Sequence, residues 1–278
     1  MKKINRRSFL AAAGLTAAAL ALTACGGSAS STASSAASSA ASSEAASTSA
    51  AAELTTVEAG KLTMATNAAF PPYEMTTEAG EFEGIDIDTA QAIAEKLGLE
   101  LQIDDMDFDA ALLSVQQGKA DIVMAGVTVT DERKAVMDFS DSYATGIQSI
   151  IVPEGSDITS PDDLAGKKIG TQRGTTGYIY CSDDFGDDAV VAYDDGLTAV
   201  QALKNGQVDA VVIDNAPAKE FVAANPGLVI LDTSYAEEDY AIGLAKGSSL
   251  EDAVNAALEE LKADGTLQSI VDKYITAE

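Results

Sequence analysis

The sequence predicts an α/β fold of two similar lobes, each a mostly parallel sheet flanked by helices, with a cleft between them. Three observations predict it. Short apolar runs of strand length alternate with segments whose apolar residues recur at helical spacing, the pattern of parallel strands joined by crossover helices. Residues 111–124 are echoed at 199–212: Gly118 matches Gly206, Asp121 matches Asp209, Val123 matches Val211, and Val115 aligns with Leu203. Each copy reads as helix, glycine stop, turn and buried strand. Two further candidate strands, at 148–152 and 240–245, flank the second lobe. As its two connections to the first, they make the first lobe discontinuous.

The elements follow in order. Residues 62–66 are apolar and bounded by Gly60 and Pro71, so they read as a buried strand. Residues 88–97 place Ala90, Ile93, Ala94 and Leu97 at helical spacing, and Gly98 suits the residue just past the helix end. Residues 99–103 form a second strand. Asp107 or Asp109 caps a helix that stops at Gly118, and 121–125 is the third strand. In the second lobe, Ser160-Pro161-Asp162-Asp163-Leu164-Ala165-Gly166 has an N-cap, an N1 proline and a closing glycine in order. Residues 168–171 restart a strand. Near the end, Leu250, Val254, Leu258 and Leu261 share a helix face that Gly265 closes, and Leu267, Ile270, Val271 and Tyr274 share another.

The N-terminal residues belong to export rather than to the fold. Lys2, Lys3, Arg6 and Arg7 precede an apolar run over 9–22, too short to span a bilayer and of signal-peptide length. The run ends in Leu22-Thr23-Ala24-Cys25-Gly26, which resembles the lipobox of bacterial lipoproteins. Residues 1–24 thus read as a signal peptide and Cys25 as the lipidated first residue of the mature chain. Asn5-Arg6-Arg7-Ser8-Phe9-Leu10 also resembles a twin-arginine signal, so the export route stays open. Residues 26–52 are almost wholly Ser, Ala, Thr and Gly, a composition that cannot bury enough apolar surface to offset its ordering entropy. Residues 25–53 therefore read as a lipid-anchored tether that holds the folded part outside the cytoplasmic membrane.

Composition excludes several function classes. The chain carries 44 acidic and 17 basic residues, a formal charge of −27. That balance argues against nucleic acid and anionic lipid as partners. There is no His, so neither a His/Cys zinc site nor a Ser-His-Asp triad can form, and no metal or cofactor is expected. Of two cysteines, Cys25 and Cys181, only Cys181 remains after lipidation, in what reads as a polar, acidic loop.

The chemistry concentrates in the stretch from Ala125 to Arg133. A buried strand runs into Gly126-Val127-Thr128-Val129-Thr130, and Thr130 is a candidate N-cap with Asp131 and Glu132 in the first turn. Arg133 sits just beyond a strand's carboxyl end, where ligands bind in open α/β sheets. A guanidinium there can grip a carboxylate with two parallel hydrogen bonds. This segment alone leaves two readings open, a ligand clamp or a surface arginine paired with a nearby acid.

Several motifs in one order resemble the bacterial solute-binding proteins of family 3, the amino-acid-binding components of ABC importers. They are Gly84-Ile85-Asp86-Ile87-Asp88 with Ala90 and Ile93-Ala94, the run from Leu62 to Glu74, Met106-Asp107-Phe108, Asp138-Phe139-Ser140, Gly174-Thr175-Thr176, and Leu261 to Thr266. The resemblance covers 54–276. It implies a type II periplasmic-binding-protein-like fold, with residues 54–148 and 243–278 in lobe 1 and 149–242 in lobe 2.

It also implies a role for each matching position. Arg133 clamps the ligand α-carboxylate with help from Thr128, and Gly126 joins the ligand-binding set. The backbone at Gly174, Thr175 and Thr176 opens a helix and forms an anion site on the other lobe. Asp214, at the end of the repeated strand, receives the α-ammonium. Phe70 and Phe108 sandwich the ligand, or are core aromatics near strand ends. Asn67 contacts the ligand side chain, and its neutrality together with Gln172 suggests a polar, uncharged ligand. Asp86 is either a ligand contact or a helix cap, and Asp88 is structural. Arg173, near the cleft mouth, meets an acidic ligand or pairs with neighbouring acids. Tyr73 and Glu74 shape the pocket or lie on the surface. The run Glu237-Glu238-Asp239 reads as a solvated face.

The expected function is capture of a free amino acid by a monomer and its delivery to ABC permease subunits, from an extracellular or periplasmic position at the membrane. The alternative is a cyclohexadienyl or arogenate dehydratase-like enzyme on the same fold, or a ligand-sensing module.

Overall fold

The computed structural model describes residues 54–275. The expected signal peptide over 1–24, the expected lipidation of Cys25 and the expected tether over 25–53 all lie outside the described residues. β1 (Lys61–Thr66) is buried along almost all of its length, as a strand covered on both faces must be. β2 (Ala69–Phe70), β3 (Glu74–Thr76) and β4 (Phe82–Glu83) make a small antiparallel sheet beside it. Then follow α1 (Ile85–Leu97), β5 (Glu100–Asp105), α2 (Phe108–Gln116), β6 (Ile122–Val123) and the short α3 (Asp131–Lys134). The long β7 (Met137–Pro153) leads to β8 (Ile169–Gln172), α4 (Thr176–Phe185), β9 (Val190–Tyr193), α5 (Gly196–Lys204), β10 (Ala210–Asp214), α6 (Asn215–Ala224) and β11 (Leu228–Ile230). β12 (Ala236–Ala245) returns, and α7 (Glu251–Ala263) and α8 (Thr266–Tyr274) end the fold.

The sheet order is β5-β1-β6-β12-β7-β10-β8-β9, with β11 also on β7. β5, β1 and β6 are parallel, and so are β10, β8 and β9. Between these halves β7 and β12 run antiparallel to each other, paired from Met137–Ala245 to Gln148–Ala236 with register shifts between Tyr240 and Gly243. The two connections between the halves are thus one ladder. It extends both predicted strands, 148–152 and 240–245, through residues too polar to read as strand.

The internal repeat has a physical counterpart. Asp121 accepts the Thr63 N–H at 2.7 Å at the start of β1, and Asp209 accepts the Lys168 N–H at 2.7 Å just before β8. Each carboxylate sits on the turn before its own strand and braces the neighbouring parallel strand. The effect is to give β6 and β10 equivalent places in the two halves of the sheet.

Some local readings change. α1 begins at Ile85, three residues before the predicted start, so Asp86 lies in its first turn and caps nothing; the N-cap is Gly84. Asp88 is structural, accepting from Lys273 Nζ at 2.8 Å and the Tyr274 hydroxyl at 3.0 Å. Cys181 is in α4 rather than a loop and is fully buried, which pushes its thiol up to about 12 and leaves it inert as a nucleophile. Among the described residues no helix is long and apolar enough to cross a membrane, and no cluster of His, Cys, Asp and Glu could hold a metal ion.

Candidate functional site

One cleft is lined by the ends of β1, β6, β8 and β10 and by both connecting strands. It holds about 430 Å³ free of protein atoms, part of it open to solvent. Asn67, Phe70, Phe108, Gly126, Thr128, Arg133, Gln172, Thr175, Thr176 and Asp214 all line it.

Arg133 reaches the cleft because α3 holds its backbone: the Thr130 hydroxyl accepts the Arg133 N–H at 3.2 Å, an N-cap bond. The guanidinium donates to the carbonyl of Thr128 at 2.8 Å and to the carbonyl of Gly174, on the opposite half, at 3.1 Å. It lies over the Phe108 ring, 5.4 Å from its centre. The side chain is buried, yet among the described residues it has no ion pair. Burial lowers its pKa, but a guanidinium keeps its charge in proteins. Two carbonyl bonds leave donors over for an anion.

Asp214 faces it from β10. Its Oδ1 accepts the Ala216 N–H at 3.0 Å, and its Oδ2 accepts the Ile147 N–H at 2.8 Å and the Tyr240 hydroxyl at 2.9 Å. Burial pushes its pKa up to about 6, against those three donors, which lower it. It too has no ion pair among the described residues.

A second set of contacts closes the cleft directly. Gln172 Nε2 donates to Asn67 Oδ1 at 2.8 Å, and Asn67 Nδ2 donates to the Met106 carbonyl at 2.9 Å. The Asn67 amide and the Gln172 NH2 group are therefore engaged by protein. Thr128 Oγ1 donates to Glu238 Oε2 at 3.1 Å and lies 3.3 Å from Thr176 Oγ1. A hydroxyl has one proton, so with Thr128 donating to Glu238, Thr176 is the donor between the two threonines.

Asp86 does not line the cleft. It is fully buried beneath it, where its carboxylate accepts both the Tyr143 hydroxyl, at 2.7 and 2.8 Å, and the Gly126 N–H, at 3.0 Å. The Gly126 amide is thus spent on Asp86. Gly126 itself adopts φ +56°, and a Cβ there would sit 2.9 Å from the Phe70 ring. Its contribution is close approach, which lets Phe70 lie against the strand end. Arg173 points away, pairing with Asp194 at 3.6 Å on the surface.

Gln148 and Tyr240 line the cleft although nothing in the sequence singles them out, and Glu74, left open between pocket and surface, lines it too. Glu238 is buried rather than solvated, accepting also from Gln148 Nε2 at 2.9 Å. Tyr240 positions Asp214. Glu74 lines the cleft and is fully buried, with the Asp86 carboxyl as its hydrogen-bonding neighbour. Only alternation along β12 could have hinted at Glu238, and nothing local marks the others.

The chain belongs to the bacterial extracellular solute-binding proteins, family 3, whose model matches residues 62–277. It is 32% identical over 283 residues to a probable histidine-binding protein of Neisseria gonorrhoeae, covering 99% of this chain and 98% of that one. It is 33% identical over 226 residues to the L-cystine-binding protein TcyJ of Escherichia coli K12, covering 80% and 85%. Among solved structures, an ancestral arginine-binding protein bound to glutamine matches with 43% identity and a TM-score of 0.75, over 78% of this chain and 99% of that one. These relatives are named as binding proteins rather than enzymes. The two-lobed architecture and a role as an extracellular solute-binding protein of an ABC importer follow, and the dehydratase alternative is not favoured.

Proposed function

We propose that the cleft captures one free L-amino acid by its backbone, with Arg133 on the α-carboxylate and Asp214 on the α-ammonium. The observation that carries this reading is the pair itself: two buried groups of opposite charge, on opposite halves of the sheet, neither ion-paired within the protein. A zwitterion contacts both only when the halves are together, so its binding energy stabilises the closed form. Thr128, Thr175 and Thr176 supply further polar contacts at the carboxylate end, and Phe70 and Phe108 wall the ligand Cα region. Asp86 acts from beneath, by holding Gly126.

The named relatives bind histidine, cystine, arginine or glutamine, so family likeness leaves the side chain open. The boundary between lobes falls within the connecting ladder, with 54–148 and 243–278 on one side and 149–242 on the other. The chain works as a monomer that presents its closed form to permease subunits, held at the membrane by lipid on Cys25.

Arg133→Ala should weaken every amino acid ligand by roughly 2–4 kcal/mol, because a buried carboxylate loses its charged partner. Calorimetry against the twenty amino acids with cystine and ornithine tests it. Unchanged affinity in the variant would remove the anchor assignment. Cys25→Ser should move the chain from the membrane fraction to the soluble one; a variant that stays with the membrane contradicts the lipid anchor.

A further inference from the structure

Glu238 is a buried carboxylate on β12, one layer behind the cleft wall. Its Oε2 accepts from the Thr128 hydroxyl at 3.1 Å and from Gln148 Nε2 at 2.9 Å, and both of those residues line the cleft. The Tyr180 hydroxyl on α4 is a further hydrogen-bonding neighbour. No lysine or arginine pairs with Glu238 among the described residues. Its bonds place it between the two anchors. Thr128, whose hydroxyl it holds, gives its carbonyl to the Arg133 guanidinium. Gln148, whose amide it holds, is paired across the sheet with Asp214. Tyr240, two residues along the same face of β12, donates to Asp214. Arg133 and Asp214 both feel the Glu238 charge, which favours the guanidinium and opposes ionisation of Asp214. The hydrogen bonds alone do not need that charge. A glutamine carbonyl accepts from Thr128 and Gln148 equally well, without the cost of burying a carboxylate that has no ion pair.

We propose that Glu238 is a selectivity residue: without touching the ligand, its charge makes the cleft reject carboxylates that carry no α-ammonium. This deepens the amino-acid reading and rests on it. Arg133 and Asp214 cancel each other, and Glu238 leaves the three with one negative charge in excess. A simple carboxylate is drawn by Arg133 but repelled by Asp214 and Glu238 together. The carboxylate of a zwitterion meets the same repulsion, yet its ammonium is drawn by both acids, so the Glu238 contribution largely cancels. Glu238 therefore changes little for an amino acid and much for the analogue that lacks the ammonium. In the empty cleft it offsets Arg133, so stray anions do not occupy the clamp.

Displacement calorimetry at pH 7.5 compares the amino acid that binds most tightly with two analogues, one lacking the α-ammonium and one lacking the α-carboxylate. For L-arginine these are δ-guanidinovalerate and agmatine, for L-histidine imidazolepropionate and histamine, and for L-glutamine glutaramate and γ-aminobutyramide. In the unmodified chain the amine should bind more tightly than the deamino acid. Glu238→Gln should leave the amino acid within about threefold and shrink its advantage over the deamino acid by roughly tenfold or more. A deamino acid that gains nothing on the amino acid in the variant would make Glu238 a strut for Thr128 and overturn the proposal. An amine bound no more tightly than the deamino acid by the unmodified chain would overturn it too, and that comparison decides if Glu238→Gln does not fold. Failure of every free amino acid to bind the unmodified chain would instead overturn the reading of Arg133 and Asp214.

Discussion

Asp214 can hold an ammonium only while it is ionised, and its surroundings oppose one another on that point. Burial raises it to about 6, while the amides of Ala216 and Ile147 and the Tyr240 hydroxyl hold it down. Tyr240 is the removable member, because its ring is buried and Phe preserves the packing. Tyr240→Phe deletes one charge-assisted bond of 2.9 Å. We expect amino acid affinity to fall by about 0.5–1.5 kcal/mol at pH 8. The sign of the pH effect is also fixed. Without the donor the Asp214 pKa rises, so on acidification the variant should lose affinity at a higher pH than the parent. Calorimetry at pH 6, 7 and 8 reads both effects. A lowered melting temperature with an unshifted pH profile would make Tyr240 a packing residue only.

At the scale of elements, legibility tracks how local the cause is. β1, α7 and α8 are readable because their own periodicity buries them, and the cleft positions of Arg133 and Asp214 are readable because each follows one copy of the repeated helix–strand unit. β7 and β12 are readable only at 148–152 and 240–245, where apolar runs carry them. Their remaining parts hold Asp138, Ser140, Asp141, Ser142 and Gly146 on one strand and Glu237, Glu238 and Asp239 on the other. Propensity assigns such residues to turns. They are strand because each pairs with the other, and that pairing links residues between Gln148–Ala236, 88 apart, and Met137–Ala245, 108 apart. Gly146 shows the constraint directly: a Cβ there would run into the Tyr240 ring, so the ladder needs glycine where Tyr240 crosses towards Asp214. Glu238 is opaque for the same reason, and Glu74 is left undecided between pocket and surface by it. A carboxylate buried by distant strands looks, within its own segment, like one facing water. Asn67 and Gln172 mislead in the opposite direction, since residues 105 apart in sequence satisfy each other.

For the whole molecule, the same buried acids set an unusual dependence of stability on pH. Asp86 and Asp214 are both raised to about 6, with burial the first cause in each case, and Glu74 is raised well above its ordinary value. A carboxyl raised in the folded state binds its proton more tightly there than in the unfolded chain. Its stabilising contribution is therefore present at low pH and is lost as pH rises from about 4, the unfolded value, through about 6. Ionising Asp86 and Asp214 costs on the order of 2–3 kcal/mol each by that shift. The formal charge of −27 adds self-repulsion that also grows with pH. Acids with lowered values, such as Asp138 and Asp264, pull the other way but only near and below the ordinary carboxylate range. The ligand-free protein should therefore melt at a higher temperature at pH 5 than at pH 7.5, the reverse of acid-labile proteins held by ion pairs. A saturating amino acid should narrow that difference, because its ammonium stabilises ionised Asp214 and its binding adds stability at pH 7.5. Scanning calorimetry of the ligand-free and ligand-saturated chain at both pH values measures it. A melting temperature that falls between pH 7.5 and pH 5 without ligand would show that the cleft carboxylates are already ionised when empty, and would remove the physical reason for their burial around a cation.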